Sequence, residues 1–175
     1  MVWLEDALLA VRDFMELGGP VLNLIAVTIF VMWLLIVERL IFFRGNLRAL
    51  SRQVLEDWEA RPERQSWNAH QIREAMISRV SMAANQGLGF IKTLVALCPL
   101  LGLLGTVTGM IEVFEVMAFA GSGNVRSMAA GVSKATIPTM AGMVGALSGV
   151  LLVTILSRRA EHEVIMLEDS LTMDH

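Results

Sequence analysis

The sequence predicts an all-α integral membrane protein with three transmembrane helices. Of its 175 residues, 55% are hydrophobic and 18% are charged, whereas about a quarter of the residues in a soluble domain are charged. Three runs without a charged residue, 21–37, 93–111 and 135–157, approach the roughly 20 apolar residues that a helix needs to cross a bilayer. This composition excludes a disordered chain and a collagen-like repeat, and the single cysteine, Cys98, excludes a disulfide scaffold.

The first 19 residues are predicted to form an amphipathic helix that lies on the outer membrane face. Apolar side chains recur there at helical spacing: Leu4, Leu8, Val11 and Met15. Charged residues lie opposite them, so a helix end surrounded by water fits the pattern equally well. A signal peptide is not favoured, because its positively charged start is missing. Gly18 and Gly19 are predicted to end this helix before Pro20 begins the next one.

Basic residues predict the orientation, because the cytoplasmic flanks of membrane spans are enriched in Lys and Arg. Arg12 alone precedes the first apolar run, whereas 44–89 is rich in arginine and Arg158 and Arg159 follow the third run. The N-terminus is therefore predicted outside, in the periplasm, and the C-terminus inside.

These boundaries divide the chain into seven predicted segments. They are a periplasmic amphipathic helix (1–19), a first transmembrane helix (20–43), a cytoplasmic helical hairpin (44–89), a second transmembrane helix (90–120), a periplasmic turn (121–127), a third transmembrane helix (128–157) and a cytoplasmic helical tail (158–175). The hairpin is inferred from two apolar stripes at helical spacing, which Arg61 and Pro62 separate. The first stripe consists of Leu47, Leu50, Val54 and Trp58, and the second of Ile72, Met76, Val80 and Ala83.

Glycines in the second and third spans predict close packing between helices, because small residues let two backbones approach. They are Gly102, Gly105, Gly109, Gly142, Gly145 and Gly149. Thr106 and Thr139 share the small-residue faces of these two spans. A lone intramembrane threonine usually bonds back to its own helix, but two weakly polar faces together are suited to line a cavity.

Three charged residues, Glu112, Glu115 and Lys134, lie near the predicted outer mouth of these spans. An unpaired charge at membrane depth costs roughly 3 kcal/mol or more. Glu112 lies about 9 Å outward of Thr106, and Lys134 about 7.5 Å outward of Thr139, at the rise of a helix. If the two threonines are at similar depth, Lys134 can pair with Glu112 or with Glu115. The alternative is that all three are interfacial and solvated.

The motifs of an enzyme, a metal site or a nucleic-acid partner are missing from the sequence. The three histidines lie outside the apolar runs, and neither a phosphate loop nor a dinucleotide fingerprint nor a paired-histidine zinc motif is present. The chain is therefore predicted not to be an enzyme, and to need neither a metal ion nor an organic cofactor.

Four segments resemble the MotA/TolQ/ExbB proton channel family. Residues 99–107 read PLLGLLGTV and are followed by Gly109, Met110, Ile111 and Phe114. Residues 131–142 of the third span and 37–40 at the end of the first resemble further signatures of that family. With the three-span layout and the long cytoplasmic insert, the resemblance covers nearly the whole chain. It is strongest to the ExbB branch of TonB systems, in its compact form with a short N-terminus.

The resemblance implies a function in the bacterial inner membrane. It implies a homo-oligomeric ring, a pentamer, around the single-span helices of an ExbD-like partner that carries a membrane Asp. Thr106 and Thr139 match the family's pore threonines, and Pro99 matches an inner-end proline that is associated with helix bending and coupling. Protons would be the coupling ion, and a TonB-like protein would carry the work to outer-membrane receptors for iron-siderophore, haem or cobalamin.

One residue departs from the family pattern. Lys134 stands where ExbB and TolQ commonly carry Glu, which favours proton binding by the partner's Asp over a relay through Glu112 or Glu115. Two other functions stay open: a TolQ-type subunit of the Tol-Pal envelope system, and a structural membrane scaffold. A motility stator is disfavoured, because the four spans and larger cytoplasmic domain of MotA proteins are missing.

Overall fold

The computed structural model describes residues 2–120 and 125–172, and five helices account for nearly all of them. They are α1 (Val2–Arg44), α2 (Asn46–Glu59), α3 (Trp67–Asn85), α4 (Leu88–Ala120) and α5 (Val125–Ser170). The all-α fold class is thereby confirmed. Residues 121–124 of the predicted periplasmic turn and 173–175 of the predicted tail lie outside the described residues.

Helix α1 is interrupted at Gly19, where the sequence predicts the end of the amphipathic helix. Gly19 has φ 66° and ψ −164°, a backbone conformation that residues with a Cβ rarely adopt. Pro20 follows and begins the apolar part of the helix. Before the interruption, Val11 is exposed and Met15 is half-buried, while the side chains of Leu4 and Leu8 lie outside the described ones. The position of this segment on a membrane face stays a prediction.

Three helical stretches are long and apolar enough to cross a membrane: Gly18–Glu59, Trp67–Phe119 and Met128–Ser170. Large apolar side chains on them are exposed, including Phe30 at 68%, Leu103 at 60% and Leu147 at 69%. Such a surface indicates contact with lipid or with another protein. The limits predicted for the spans and their direction across the bilayer stay predictions.

The contacts divide the chain into two compact units. The first unit consists of Met1–Trp33 and Thr93–Val150, and the second unit of Leu34–Lys92 and Leu151–His175. Buried side chains at the centre of the first unit are Leu22, Ile25, Met32, Cys98, Ala135 and Ala146. Those of the second unit are Ile36, Leu47, Trp58, Val80, Leu156 and Ala160.

Helices α2 and α3 of the second unit contact each other, while the cytoplasmic position of the predicted hairpin stays a prediction. Ser66 begins α3, because its hydroxyl accepts a hydrogen bond from the Ala69 amide at 3.2 Å. On α2 the buried residues follow the predicted stripe, with Leu47, Val54 and Trp58 facing inward. On α3 the buried face differs slightly from the predicted one: Ala84 is buried and Ala83 only half-buried.

Side chains of this hairpin bond to carbonyls at the end of α5 and in the two residues that follow it. Trp58 Nε1 donates to the Thr172 carbonyl at 3.0 Å. Arg73 donates from Nε to the Leu171 carbonyl at 2.8 Å and from Nη2 to the Glu168 carbonyl at 2.7 Å. Carbonyls at a helix C-terminus have no partner in their own helix, so these bonds cap α5.

Arg39 is buried in the second unit, at 8% exposure. Its guanidinium lies 5.1 Å from the centre of the Phe42 ring and 3.7 Å from Glu38 Oε2. A Cβ on Gly87, which has φ 78°, would stand 3.0 Å from Arg39 Nη2. The Arg39 side chain therefore faces protein, and Gly87 leaves room for it.

Candidate functional site

Helices α4 and α5 of the first unit lie side by side and run antiparallel. Gly109 lies against Ala135, Gly102 against Thr139, and Gly142 against Cys98. Residue numbers rise along one helix as they fall along the other, so the second and third predicted spans are direct neighbours. This helix pair carries all of the predicted site residues.

Three of the six predicted packing glycines touch the backbone of the opposite helix. A Cβ on Gly102 would lie 3.0 Å from the Thr139 Cα, and one on Gly109 would lie 2.7 Å from the Ala135 Cα. A Cβ on Gly142 would lie 2.5 Å from the Cys98 carbonyl oxygen. Backbone atoms cannot turn aside as a side chain can, so a larger residue at these positions would push the helices apart.

The other three glycines make room for side chains. Gly105 receives the Pro138 ring, Gly145 lies against Ile29 of α1, and Gly149 lies against Met32 of α1 and Val95 of α4. The glycines of α5 therefore allow close packing against two helices. Gly142 lies against α4, and Gly145 and Gly149 lie against α1.

Thr139 is the point at which a hydroxyl links the two helices. Its Oγ1 donates a hydrogen bond to the Gly102 carbonyl of α4 at 3.0 Å, and the side chain is half-buried. The contact depends on Gly102, because a side chain there would separate the two backbones.

The neighbouring threonines bond within their own helices. Thr106 Oγ1 donates to the Leu103 carbonyl at 2.7 Å, Thr108 to Gly105 at 3.0 Å and Thr136 to Ser133 at 2.8 Å. Hydrogen bonds of this kind satisfy a hydroxyl in an apolar setting without a partner helix. Thr106 is half-buried on the α4 face that includes Gly102 and Gly109.

The two predicted site threonines are offset along the helix pair. Thr139 lies at the level of Gly102, and Thr106 is four residues further along α4, or about 6 Å at helical rise. The assumption that they share one depth is therefore wrong by about one turn. The reason is the register, which places Thr139 opposite a glycine of the preceding turn.

Lys134 and Glu112 form an ion pair beyond the threonines. Lys134 Nζ donates to Glu112 Oε2 at 2.7 Å, and the side chains are 37% and 48% exposed. The sequence left Glu112 and Glu115 open as partners of Lys134. In the structure the partner is Glu112, and Glu115 is exposed. The Lys134 side chain also reaches the interruption of α1, since its Cε is 3.8 Å from where a Cβ on Gly19 would be. That these charges mark an outer mouth stays a prediction.

Two prolines lie inside the helix pair. Pro99 is exposed on α4, and its missing N–H leaves the Val95 carbonyl without the usual helical partner. Pro138 on α5 is fully buried against Gly105, and likewise frees the Lys134 carbonyl. No role for Pro138 was predicted from the sequence. A proline directly before a threonine in an apolar run was the available signal.

The fold and this helix pair define a class: a multi-pass α-helical membrane protein in which two spans are joined through glycine faces. The chain matches the model of the MotA/TolQ/ExbB proton channel family over residues 42–169. The chain belongs to that family, and it is a multi-pass inner-membrane protein.

Curated relatives match about half of the chain. A putative biopolymer transport protein ExbB-like 1 from Synechocystis is 37% identical over 47% of the chain and 34% of its own length. The biopolymer transport protein ExbB of Salmonella typhimurium is 30% identical over 49% of the chain and 35% of its own length. The protein exbB1 of Vibrio cholerae is 39% identical over 50% of the chain and 39% of its own length. The matches therefore span well under half of each relative.

Proposed function

We propose that this chain is the ring-forming subunit of a proton-driven motor of the TonB type. Several copies, five by analogy with the family, would surround the membrane helices of an ExbD-like partner. The partner would carry a titrating Asp, and the motor would act on a TonB-like protein to open outer-membrane receptors for iron-siderophore, haem or cobalamin. The periplasmic position of the N-terminus is part of the proposal.

The observation that carries the proposal is the Thr139 hydroxyl on the α4/α5 pair of a chain in a proton channel family. A hydroxyl held at a helix interface can accept a hydrogen bond while it donates one. Thr139 donates to Gly102, so its oxygen lone pairs are free to accept from water or from a protonated carboxyl group. Thr106, one turn away, offers a second hydroxyl of the same kind.

The proposed motor has its titrating group on the partner. In this chain the Glu112 carboxylate already accepts a hydrogen bond from Lys134 Nζ at 2.7 Å. A relay that protonates Glu112 would have to break this pair. We therefore assign the proton to the partner's Asp and give the ion pair a structural role. Each charge that crosses the membrane supplies about 2.3 kcal/mol per 100 mV, so each mechanical cycle uses several protons.

Receptor-dependent uptake of a siderophore or haem tests the proposal. Cells with the double variant Thr106→Val and Thr139→Val should lose uptake while membrane levels of the protein stay normal. The matched control is Thr108→Val with Thr136→Val, which also removes one hydroxyl from each helix. Of the four threonines, Thr139 alone bonds across the helix pair, whereas Thr106 and the two control threonines bond within their own helices. Uptake should persist in the control cells, because the bond between the helices is kept.

Three outcomes would overturn the proposal. Unchanged uptake in the Thr106 and Thr139 variant would assign both hydroxyls to packing and leave a scaffold as the better function. Normal uptake combined with a leaky outer membrane would indicate a Tol-type subunit. Equal loss in both double variants would indicate a general defect of the helix pair.

A further inference from the structure

The second unit contains a basic cavity beside the end of the first apolar run. The cavity has a volume of about 370 Å³ and is lined by Phe43, Arg44, Arg48, Arg159, His162 and Glu163. Two helices and the end of a third supply this lining: α1, α2 and α5. The cavity is separate from the α4/α5 site in the first unit.

The charges around this cavity are not balanced. Three arginines face one carboxylate, that of Glu163, and none of the three forms a salt bridge or side-chain hydrogen bond with a residue in the described ranges. Like charges that converge without a counter-charge repel one another. An anion in the cavity would remove this repulsion.

The position along the chain indicates the kind of anion. Arg44 is the first charged residue after the apolar stretch that ends in Phe42 and Phe43, and Arg159 is the second residue after the charge-free run 135–157. Both helices therefore become polar at this cavity, as they do at the headgroup level of a bilayer. The buried Phe43 side chain gives the cavity an apolar wall.

We propose that this cavity binds the phosphate group of an anionic phospholipid. Guanidinium groups bind phosphate oxygens through two parallel hydrogen bonds, and basic pockets between membrane helices bind anionic headgroups. The acyl chains would lie along the apolar surface that precedes Phe43. In the predicted orientation the lipid belongs to the inner leaflet. The site does not depend on proton conduction.

Native mass spectrometry of the delipidated full-length protein tests the proposal. The probes are dioleoylphosphatidylglycerol, dioleoylphosphatidylcholine and inorganic phosphate. Phosphatidylglycerol should bind at least tenfold more tightly than phosphatidylcholine. Each arginine replaced should weaken binding about fivefold, the contribution of one basic side chain near an anionic lipid surface, so Arg44→Gln with Arg48→Gln and Arg159→Gln should lose about a hundredfold.

The matched control removes three exposed arginines outside this cavity: Arg52→Gln, Arg79→Gln and Arg158→Gln. The control should keep its affinity for phosphatidylglycerol to within about threefold, and Arg159→Lys should lose less than Arg159→Gln. Far-ultraviolet circular dichroism shows whether each variant is folded.

Several results would overturn the proposal. Equal binding of the two lipids would exclude a headgroup site, and equal loss in the control would reduce the effect to general surface charge. Inorganic phosphate that binds as tightly as the lipid would indicate a soluble anion. Displacement of the lipid by an acidic peptide at equal concentration would indicate a protein partner.

Discussion

The α4/α5 pair of the first unit and the α2/α3 hairpin of the second are held together by opposite means. In the helix pair, glycines bring backbones into contact, and a single threonine bonds across to Gly102. In the hairpin unit, the largest buried side chain, Trp58, fills the interior, and Arg73 caps the end of α5. One region uses the absence of side chains and the other uses large ones.

The difference is the one expected from the solvents predicted for the two regions, lipid for the helix pair and water for the hairpin. Between helices in lipid, burial of apolar side chains contributes little free energy, because lipid is as apolar as they are. Close van der Waals packing therefore determines whether such helices associate. In water, burial of an indole ring is itself strongly favourable. The comparison therefore predicts that the first unit is sensitive to added atoms and the second to removed atoms.

The largest effect is expected from Trp58→Ala in the second unit. Trp58 is 1% exposed and donates to the Thr172 carbonyl, so its loss creates a cavity and leaves that carbonyl without its partner. Truncation of a buried aromatic residue costs about 3–5 kcal/mol. Thermal unfolding in detergent, followed by circular dichroism, measures it. Trp58→Phe should recover most of the loss, and equal loss in both variants would assign the effect to the hydrogen bond.

The next largest effect is expected from Gly109→Val in the first unit. A Cβ there would lie 2.7 Å from the Ala135 Cα, and overpacking typically costs about 1–3 kcal/mol. The matched control is Gly89→Ala on the same helix, where a Cβ would meet nothing within 4 Å. The same unfolding measurement applies. A Gly109→Val protein as stable as the control would show that the two helices do not require backbone contact.

Features that lie along one helix were predictable from the sequence. The three apolar runs, the interruption at Gly19 and the glycine faces follow from length, charge and spacing within a single segment. The ion pair of Lys134 was predicted with Glu112 or Glu115 as its partner, although the equal depth of the two threonines that supported it is wrong by about one turn.

Features that depend on the register between distant segments were not predictable. The offset between Thr106 and Thr139 is set by which glycine each α5 residue meets, and periodicity within a helix does not contain that information. The fit of Pro138 into Gly105 and the space that Gly87 leaves for Arg39 were missed for the same reason. In each case a small residue is informative only once the residue opposite is known.

The smallest effect is expected from the Glu112 and Lys134 ion pair at the edge of the first unit. The contrast between the two units should be weaker there. The Glu112 and Lys134 side chains are more than a third exposed, and an exposed ion pair contributes about 0–1 kcal/mol. Glu112→Lys should lower the stability by about 1 kcal/mol, because it places two ammonium groups together. Adding Lys134→Glu should restore most of it, which a double-mutant cycle of unfolding free energies measures. If the double variant is no more stable than Glu112→Lys alone, the pair does not hold α4 to α5, and backbone contact alone accounts for their packing.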